Sequence, residues 1–317
     1  MPRVSGPTIP RWHLAKHLER LRQEAGLGFE DVADRLNCSP SKIKKIERAD
    51  VGVDLPDLEV MLQLYGVTDR NLQDMLLDLQ RKGKKRGWWV PLGPFTRHYA
   101  TLVSLESESL RIRMFEPLVI PGLLQTEDYA RAIDAMHTLA TPRDREHMVE
   151  VRMARQQRFW KNEADPTRLW VILDEAALRR QVGGPLVMRA QLMHLLERMS
   201  QCTFQIVPFE AGGYPGSLGA LTIFDFEEHI HSPVAYVDGH AGIIYVENAD
   251  EMDRINLAFG HITAVALSPA ESARRVMAIV REMAVVEEEG EGGRDAARPE
   301  SVALAEVKRI DGLAELR

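Results

Sequence analysis

Residues 29 to 48 read FEDVADRLNCSPSKIKKIER, and this window decides the fold of the N-terminal third. Two short helices packed across a tight turn place specific demands on sequence. The crossing point in the first helix needs a small side chain, and Ala33 stands there. The turn needs a residue that tolerates a left-handed backbone, and Asn37 is the best choice after glycine. Val32, Leu36, Cys38, Ile43 and Ile46 supply an apolar inner face. Ser39 suits the cap of the second helix and Pro40 its first turn. The outer face of that helix is polar and basic, with Ser41, Lys42, Lys44, Lys45 and Arg48. The stretch CSPSKIKKIERAD (38–50), taken by itself, reads first as a solvated surface helix. Meeting every demand within one window predicts instead a helix-turn-helix whose second helix lies in a DNA groove.

Working outward, helical apolar spacing runs from Trp12 to Arg81, with helices expected near 12–25, 29–36, 40–48, 55–65 and 69–81. Residues 1–11, with three prolines, read as a loose arm. The run RKGKKRG (81–87) carries five basic residues and no acid, and opens a basic linker over 82–98. It is either a solvated connection or a phosphate-contacting extension through Lys82, Lys84, Lys85 and Arg86. Trp88 and Trp89 follow, either to stack on nucleic acid or to anchor the linker on the next domain.

The net charge of −7 would argue against a nucleic-acid binder, but its distribution is uneven. Residues 1–98 hold 17 Lys and Arg against 13 Asp and Glu, whereas the remainder holds 23 against 34. The basic end contains the helix-turn-helix window. No apolar run approaches a membrane span, the first residues lack a signal peptide's apolar region, and Cys38 and Cys202 form no metal or disulfide spacing. A cytoplasmic protein is expected, associating with the nucleoid when bound to DNA.

The second domain is read over 99–285 as a mixed domain of helices with a small, largely antiparallel sheet, which makes the chain α+β. Residues 88–165 look mainly helical, LWVIL (169–173) reads as a buried strand, and a helix follows over 185–199. Strands are expected at 203–209, 221–226, 234–239 and 242–247, the last three as an antiparallel meander. Helices at 249–266 and 269–284 close the domain, the second capped by Ser268-Pro269. EPLVIPGLL (116–124) reads as a buried connector, with Thr126 capping the helix after it. Glu106, Glu108, Arg111 and Arg113 stand at helical spacing, which fits surface pairing; the alternative is a ligand or partner site lined by Glu106, Arg111 and Glu116. An acidic, Gly-rich tail, expected to be disordered, begins at 286.

No catalytic residue stands out. PGSLG (215–219) lacks the spacing of a nucleophile elbow, and GGYPGSLG has no following lysine for a phosphate loop. Cys202 has no base beside it in sequence, and His229, His231 and His240 with Asp238 read better as surface residues than as a metal site. Neither a metal nor a cofactor is expected.

The pattern LRQEAGL, then ED.A.RL, then SKI..IER resembles the Cro-type (XRE) helix-turn-helix family over about residues 12–80. FEPLVIPGLLQTEDYARA (115–132), with LDEAALRRQVGGPLVMRAQLMHLLE (173–197), QIVPFEAGGYPGS (205–217) and ALSPAESARRV (266–276), resembles the C-terminal domain of the WhiJ-like regulators of filamentous actinobacteria. The resemblance implies a DNA-binding transcriptional regulator, dimeric on a double-stranded operator. Its C-terminal domain would receive a small-molecule ligand or a small acidic partner protein in an antitoxin-like arrangement. Two departures stand out. Phe29 occupies a position where the family often has a phosphate-clamping glutamine, and Pro40 one that often reads bases. Base reading then falls to Ser41, Lys42 and Lys45, with Lys44 and Arg48 on phosphates.

Overall fold

The computed structural model describes residues 7–85, 87–88, 97–136, 141–161, 168–227, 232–239 and 242–291. The N-terminal domain has five helices: α1 Thr8–Glu24, α2 Phe29–Arg35, α3 Pro40–Glu47, α4 Leu55–Leu64 and α5 Arg70–Gly83. Their caps follow local chemistry. The Ser39 hydroxyl accepts from the Lys42 amide at 3.3 Å, and the Gly28 amide donates to the Asp31 carboxylate at 2.7 Å. Leu18, Val32, Ala33, Ile43, Ile46, Leu58, Met61 and Leu76 form its core. Residues 8–11 are helical, not part of an arm, because Ile9 and Pro10 are buried. Pro10 is tolerated in the first turn, where its missing amide has no partner to lose. Helix α5 runs on to Gly83, where the Arg11 guanidinium donates to the Gly83 carbonyl at 2.9 Å.

The C-terminal domain begins with α6 (Arg97–Glu108) and β1 (Arg111–Glu116). A 3₁₀ turn (Gly122–Leu124) leads to α7 (Glu127–Ala135) and α8 (Pro142–Trp160). Strand β2 (Arg168–Asp174), α9 (Glu175–Arg179), α10 (Pro185–Arg198) and β3 (Thr203–Val207) follow. Strands β4 (Leu221–Asp225), β5 (Val234–Gly239) and β6 (Gly242–Val246) precede α11 (Ala249–Val265) and α12 (Pro269–Glu291). The sheet order is β3-β2-β1-β4-β5-β6. The β1–β2 and β2–β3 pairs are parallel, and β1–β4, β4–β5 and β5–β6 antiparallel. The meander β4-β5-β6 is the expected one, but the sheet is mixed because β1, absent from the expectation, sits at its centre. The four charges at 106, 108, 111 and 113 suggest one helix, yet the helix stops at Glu108. Thereafter Arg111 and Arg113 alternate with the buried Ile112 and Met114 at the period of a strand. Helix α12 also extends past residue 284, so the stretch 286–291 is helical rather than tail.

One sheet face packs Ile112, Met114, Val171, Phe204 and Phe224 against α7, α10 and α12 residues such as Tyr129, Leu192 and Ile279. The other carries Phe115, Ile172, Val207 and Ile223 beneath Met252, Phe259 and Ile262 of α11. The connector before α7 is buried, so its backbone groups need partners. Side chains supply them: Gln156 donates to the carbonyls of Gly122 (2.7 Å) and Gln125 (2.9 Å), Gln191 to Leu124 (2.7 Å), and Trp160 to Leu123 (3.0 Å). The Ile120 amide donates to the Tyr129 hydroxyl at 3.1 Å. Thr126 caps α7 as expected, accepting from the Tyr129 amide at 3.3 Å.

Helix α1 serves two cores. Leu14, Leu18 and Leu21 lie in the N-terminal one, while Ile9 belongs to the C-terminal one and Trp12 packs on it. The Trp12 ring meets Tyr245 of β6 edge-on, with centroids 5.6 Å apart, and Lys16 pairs with Glu247. On the other side, the Trp88 indole donates to Ser107 of α6 at 3.3 Å and lies under the Arg158 guanidinium, 5.0 Å from the ring centre. Of the two tryptophans, Trp88 therefore anchors the linker on the next domain; Trp89 lies outside the described residues.

Candidate nucleic-acid interface

The two helices of the motif meet as the window demands. Ala33 is buried at the crossing, and Asn37 takes the left-handed backbone (φ +49°) that reverses the chain. The Cys38 amide then closes on the Ala33 carbonyl at 2.9 Å. Helix α3 turns Ile43 and Ile46 inward and leaves Ser41, Lys44, Lys45 and Arg48 exposed. Ser39, though exposed, is engaged as the cap.

Lys42 behaves differently from its neighbours. Its ammonium donates to the Asp57 carboxylate of α4 at 2.8 Å, and that bond raises its pKa. The extension is also partly paired. Lys82 lies 2.6 Å from Asp78, and Lys84 lies 2.9 Å from Asp54, whose pKa the lysine depresses. Lys85 is exposed, and Arg86 lies outside the described residues.

Beneath α3 sits a pair that the sequence reading missed. Arg22 of α1 donates to both carboxylate oxygens of Glu47, at 2.7 and 2.8 Å, and to the Leu27 carbonyl at 2.9 Å. Its guanidinium stacks 4.1 Å from the Phe29 ring centre, and the Lys44 ammonium lies 5.1 Å from the same centre. Phe29 thus stands between a buried cation and an exposed one. The hydroxyl of Tyr65 is buried beside this group without a hydrogen-bond partner, and burial followed by the Glu47 charge pushes its pKa up. The signal for the pair was position: Glu47 follows Ile43 by one helical turn, and Arg22 follows Leu18 by one, so both sit on inward stripes.

The alternative site of Glu106, Arg111 and Glu116 is not assembled. Glu106 is buried on α6, 3.1 Å from the buried Arg155 of α8; burial raises its pKa and Arg155 partly offsets that. Arg111 donates to Asp225 of β4 at 2.7 Å, a carboxylate it shares with Arg113. Glu116 stands at the other end of β1, five residues on, and therefore about 16 Å away along the strand.

The stretches weighed for catalysis find packing roles. Gly216 of PGSLG packs so closely on Phe115 that a Cβ there would lie 2.6 Å from the ring. Burial pushes the Cys202 thiol up to about 12, and its sulfur faces the Arg198 carbonyl at 3.5 Å. His229, His231 and His240 lie outside the described residues. Among the described residues no helix is long and apolar enough to cross a membrane, and no three His, Cys, Asp or Glu gather as a metal-holding group.

This geometry defines the N-terminal domain as a helix-turn-helix domain, and a family model described by that name matches residues 13–75. The chain belongs to the family described as a domain of unknown function (DUF5753), whose model matches residues 99–278. No curated protein and no solved structure matches the chain.

Proposed function

We propose that this protein is a sequence-specific, double-stranded-DNA-binding transcriptional regulator. The observation that carries the reading is α3, which is pinned on its inner side by Ile43, Ile46 and the Arg22–Glu47 pair and presents Ser41, Lys44, Lys45 and Arg48 outward. A helix so held enters a major groove with its early residues toward the bases. Ser41 and Lys45 read base edges, while Lys44 and Arg48 hold phosphates. Lys42 joins them only by leaving Asp57, so its contact with DNA costs an ion pair. A homodimer would set two such helices about 34 Å apart on a near-palindromic operator.

The resemblance to WhiJ-like regulators supports a C-terminal domain that receives a small ligand or a small acidic partner protein. The seating of α1 in both cores gives that domain a direct mechanical connection to the reading head.

The test is fluorescence anisotropy of the full chain on the DNA upstream of its own gene, against random DNA, at two salt concentrations. The expected result is tighter binding to its own DNA with a steep salt slope that counts phosphate contacts. Equal binding to both sequences, alone and in the presence of a cell extract supplying ligand or partner, would overturn specific autoregulation.

A further inference from the structure

The first turn of α4 departs from other helix starts in this chain. A polar residue before a helix ordinarily accepts from the helix's first amides, and an acid three residues on reaches back to close a capping box. Asp31 does so for α2, Asp144 for α8 and Glu271 for α12, each accepting from the amide before its helix, at 2.7, 3.2 and 3.0 Å. In α4 the two corresponding residues are Asp54 and Asp57. Asp54 caps no amide of its helix, and no box closes there.

Both carboxylates turn instead to lysines of neighbouring helices. Asp57 takes the Lys42 ammonium of α3 at 2.8 Å, and Asp54 takes that of Lys84, just past α5, at 2.9 Å. The Lys42 charge also acts on Asp54, so the four charges form one neutral group along the edge of the recognition helix. The cations beyond this group are left open. Among the described residues Lys44, Lys45, Arg48 and Lys85 are exposed and have no acid at ion-pair distance. The charge free to meet a phosphate is therefore concentrated on the outer face of α3 and at Lys85.

We propose that Asp54 and Asp57 are specificity-determining residues of the DNA-reading domain, acting by restraining its sequence-independent binding. The inference rests on the DNA-binding reading above. Binding to DNA at large is driven by cations that displace counterions from phosphates. Lys42 and Lys84 add little to that exchange while each faces a carboxylate. A phosphate that draws either away leaves a bare carboxylate beside the anionic backbone. The operator complex, by contrast, is held by Ser41, Lys44, Lys45 and Arg48, none of them masked. A sequence-independent complex is free to shift until released lysines meet phosphates, whereas the operator complex is fixed by its base contacts. Removing the carboxylates therefore strengthens the first more than the second.

The experiment compares the full chain with Asp54→Asn/Asp57→Asn by fluorescence anisotropy, on random double-stranded DNA and on the DNA upstream of its own gene, across a salt series. Asparagine serves as well as aspartate before a helix, so the fold is retained, and an unchanged melting temperature checks this. On random DNA the double variant should bind about tenfold tighter at about 0.1 M salt, with a salt slope steeper by about two contacts. The gain on its own DNA should be smaller. Asp250→Asn/Glu251→Gln removes two exposed charges from the first turn of α11 and should change binding to neither DNA. The proposal is overturned if random-DNA affinity and slope stay at wild-type values, if the α11 variant reproduces the gain, or if both DNAs gain equally. A wild-type chain that binds the two DNAs alike sinks the operator reading instead, while the random-DNA arm still decides whether the carboxylates mask the lysines.

Discussion

Arg22 and Glu47, twenty-five residues apart in the chain, lock α1 to the recognition helix through two parallel hydrogen bonds of 2.7 and 2.8 Å within the helix-turn-helix core. Both side chains are nearly closed to solvent. A buried pair gains little over a well-packed apolar pair, but losing one partner strands the other charge. Arg22→Met is expected to destabilise the domain by about 3–5 kcal/mol. The Arg22→Met/Glu47→Leu double variant should recover much of that loss. Hydrogen exchange of the α1–α3 amides measures both, and a single-variant cost below about 1 kcal/mol would remove the pair from the account.

Phe29 couples this pair to the DNA face. With Arg22 on its ring and Lys44 close by, Phe29→Leu should weaken operator binding by about 0.5–1 kcal/mol, the range of an exposed cation–π contact. In a double-mutant cycle the effects of Phe29→Leu and Lys44→Met should not add. Full additivity in anisotropy titrations would mean that the ring does not position Lys44.

On the proposed reading, Asp57, which holds the Lys42 ammonium at 2.8 Å, competes with DNA for that lysine. Asp57→Asn should tighten binding and steepen the salt slope by about one contact, since a released lysine becomes available to a phosphate or base. The exposed part of this ion pair contributes little to folding, so thermal stability should change by less than about 1 kcal/mol. Unchanged affinity would show that Lys42 stays out of the interface.

Lys45→Ala should cost about 1–3 kcal/mol on the operator and relax preference at one base position. Arg48→Ala should instead weaken all sequences alike. Titration against a set of single-base operator variants distinguishes them, and wild-type binding by Lys45→Ala would remove that residue from base reading.

Cys202 should resist alkylation. Burial raises Cys202 to about 12, so its thiolate fraction at pH 8 is about one in ten thousand. Alkylation at pH 8 followed by mass spectrometry should modify Cys38 and spare Cys202 in the folded protein, with Cys202 reacting only as the pH approaches 12. Rapid alkylation of Cys202 at pH 8 would contradict its burial.

The helix-turn-helix was legible because its demands are local. A small residue, a left-handed turn residue, a cap and an amphipathic stripe fall within twenty positions, and each has one obvious candidate. The same reading missed the Arg22–Glu47 pair and the Lys42–Asp57 pair because both join separate helices, which no window of sequence brings together. Strand β1 was hidden by its own charges. Arg111 and Arg113 read as helix-surface residues until Asp225, more than a hundred positions away, is seen to receive both. The alternative grouping of Glu106, Arg111 and Glu116 is spread apart for the same reason: nearness in sequence across a helix-to-strand junction does not survive the change of direction there.

The adjacency of Ser107 and Glu108 bears on how such a molecule can be rebuilt. Ser107 takes the Trp88 indole and Glu108 the Ile9 amide, so the N-terminal domain enters and leaves at neighbouring points on α6 and is attached like a cassette clipped at both edges to one rail. A reading head of different specificity could be exchanged there without respacing the remainder, provided its first helix brings counterparts of Ile9, Pro10 and Trp12 to fill the socket. A cut at residue 12, where the domain begins by sequence periodicity, would leave that socket empty and exchange the letters of the code while losing the seat that holds them on the C-terminal domain.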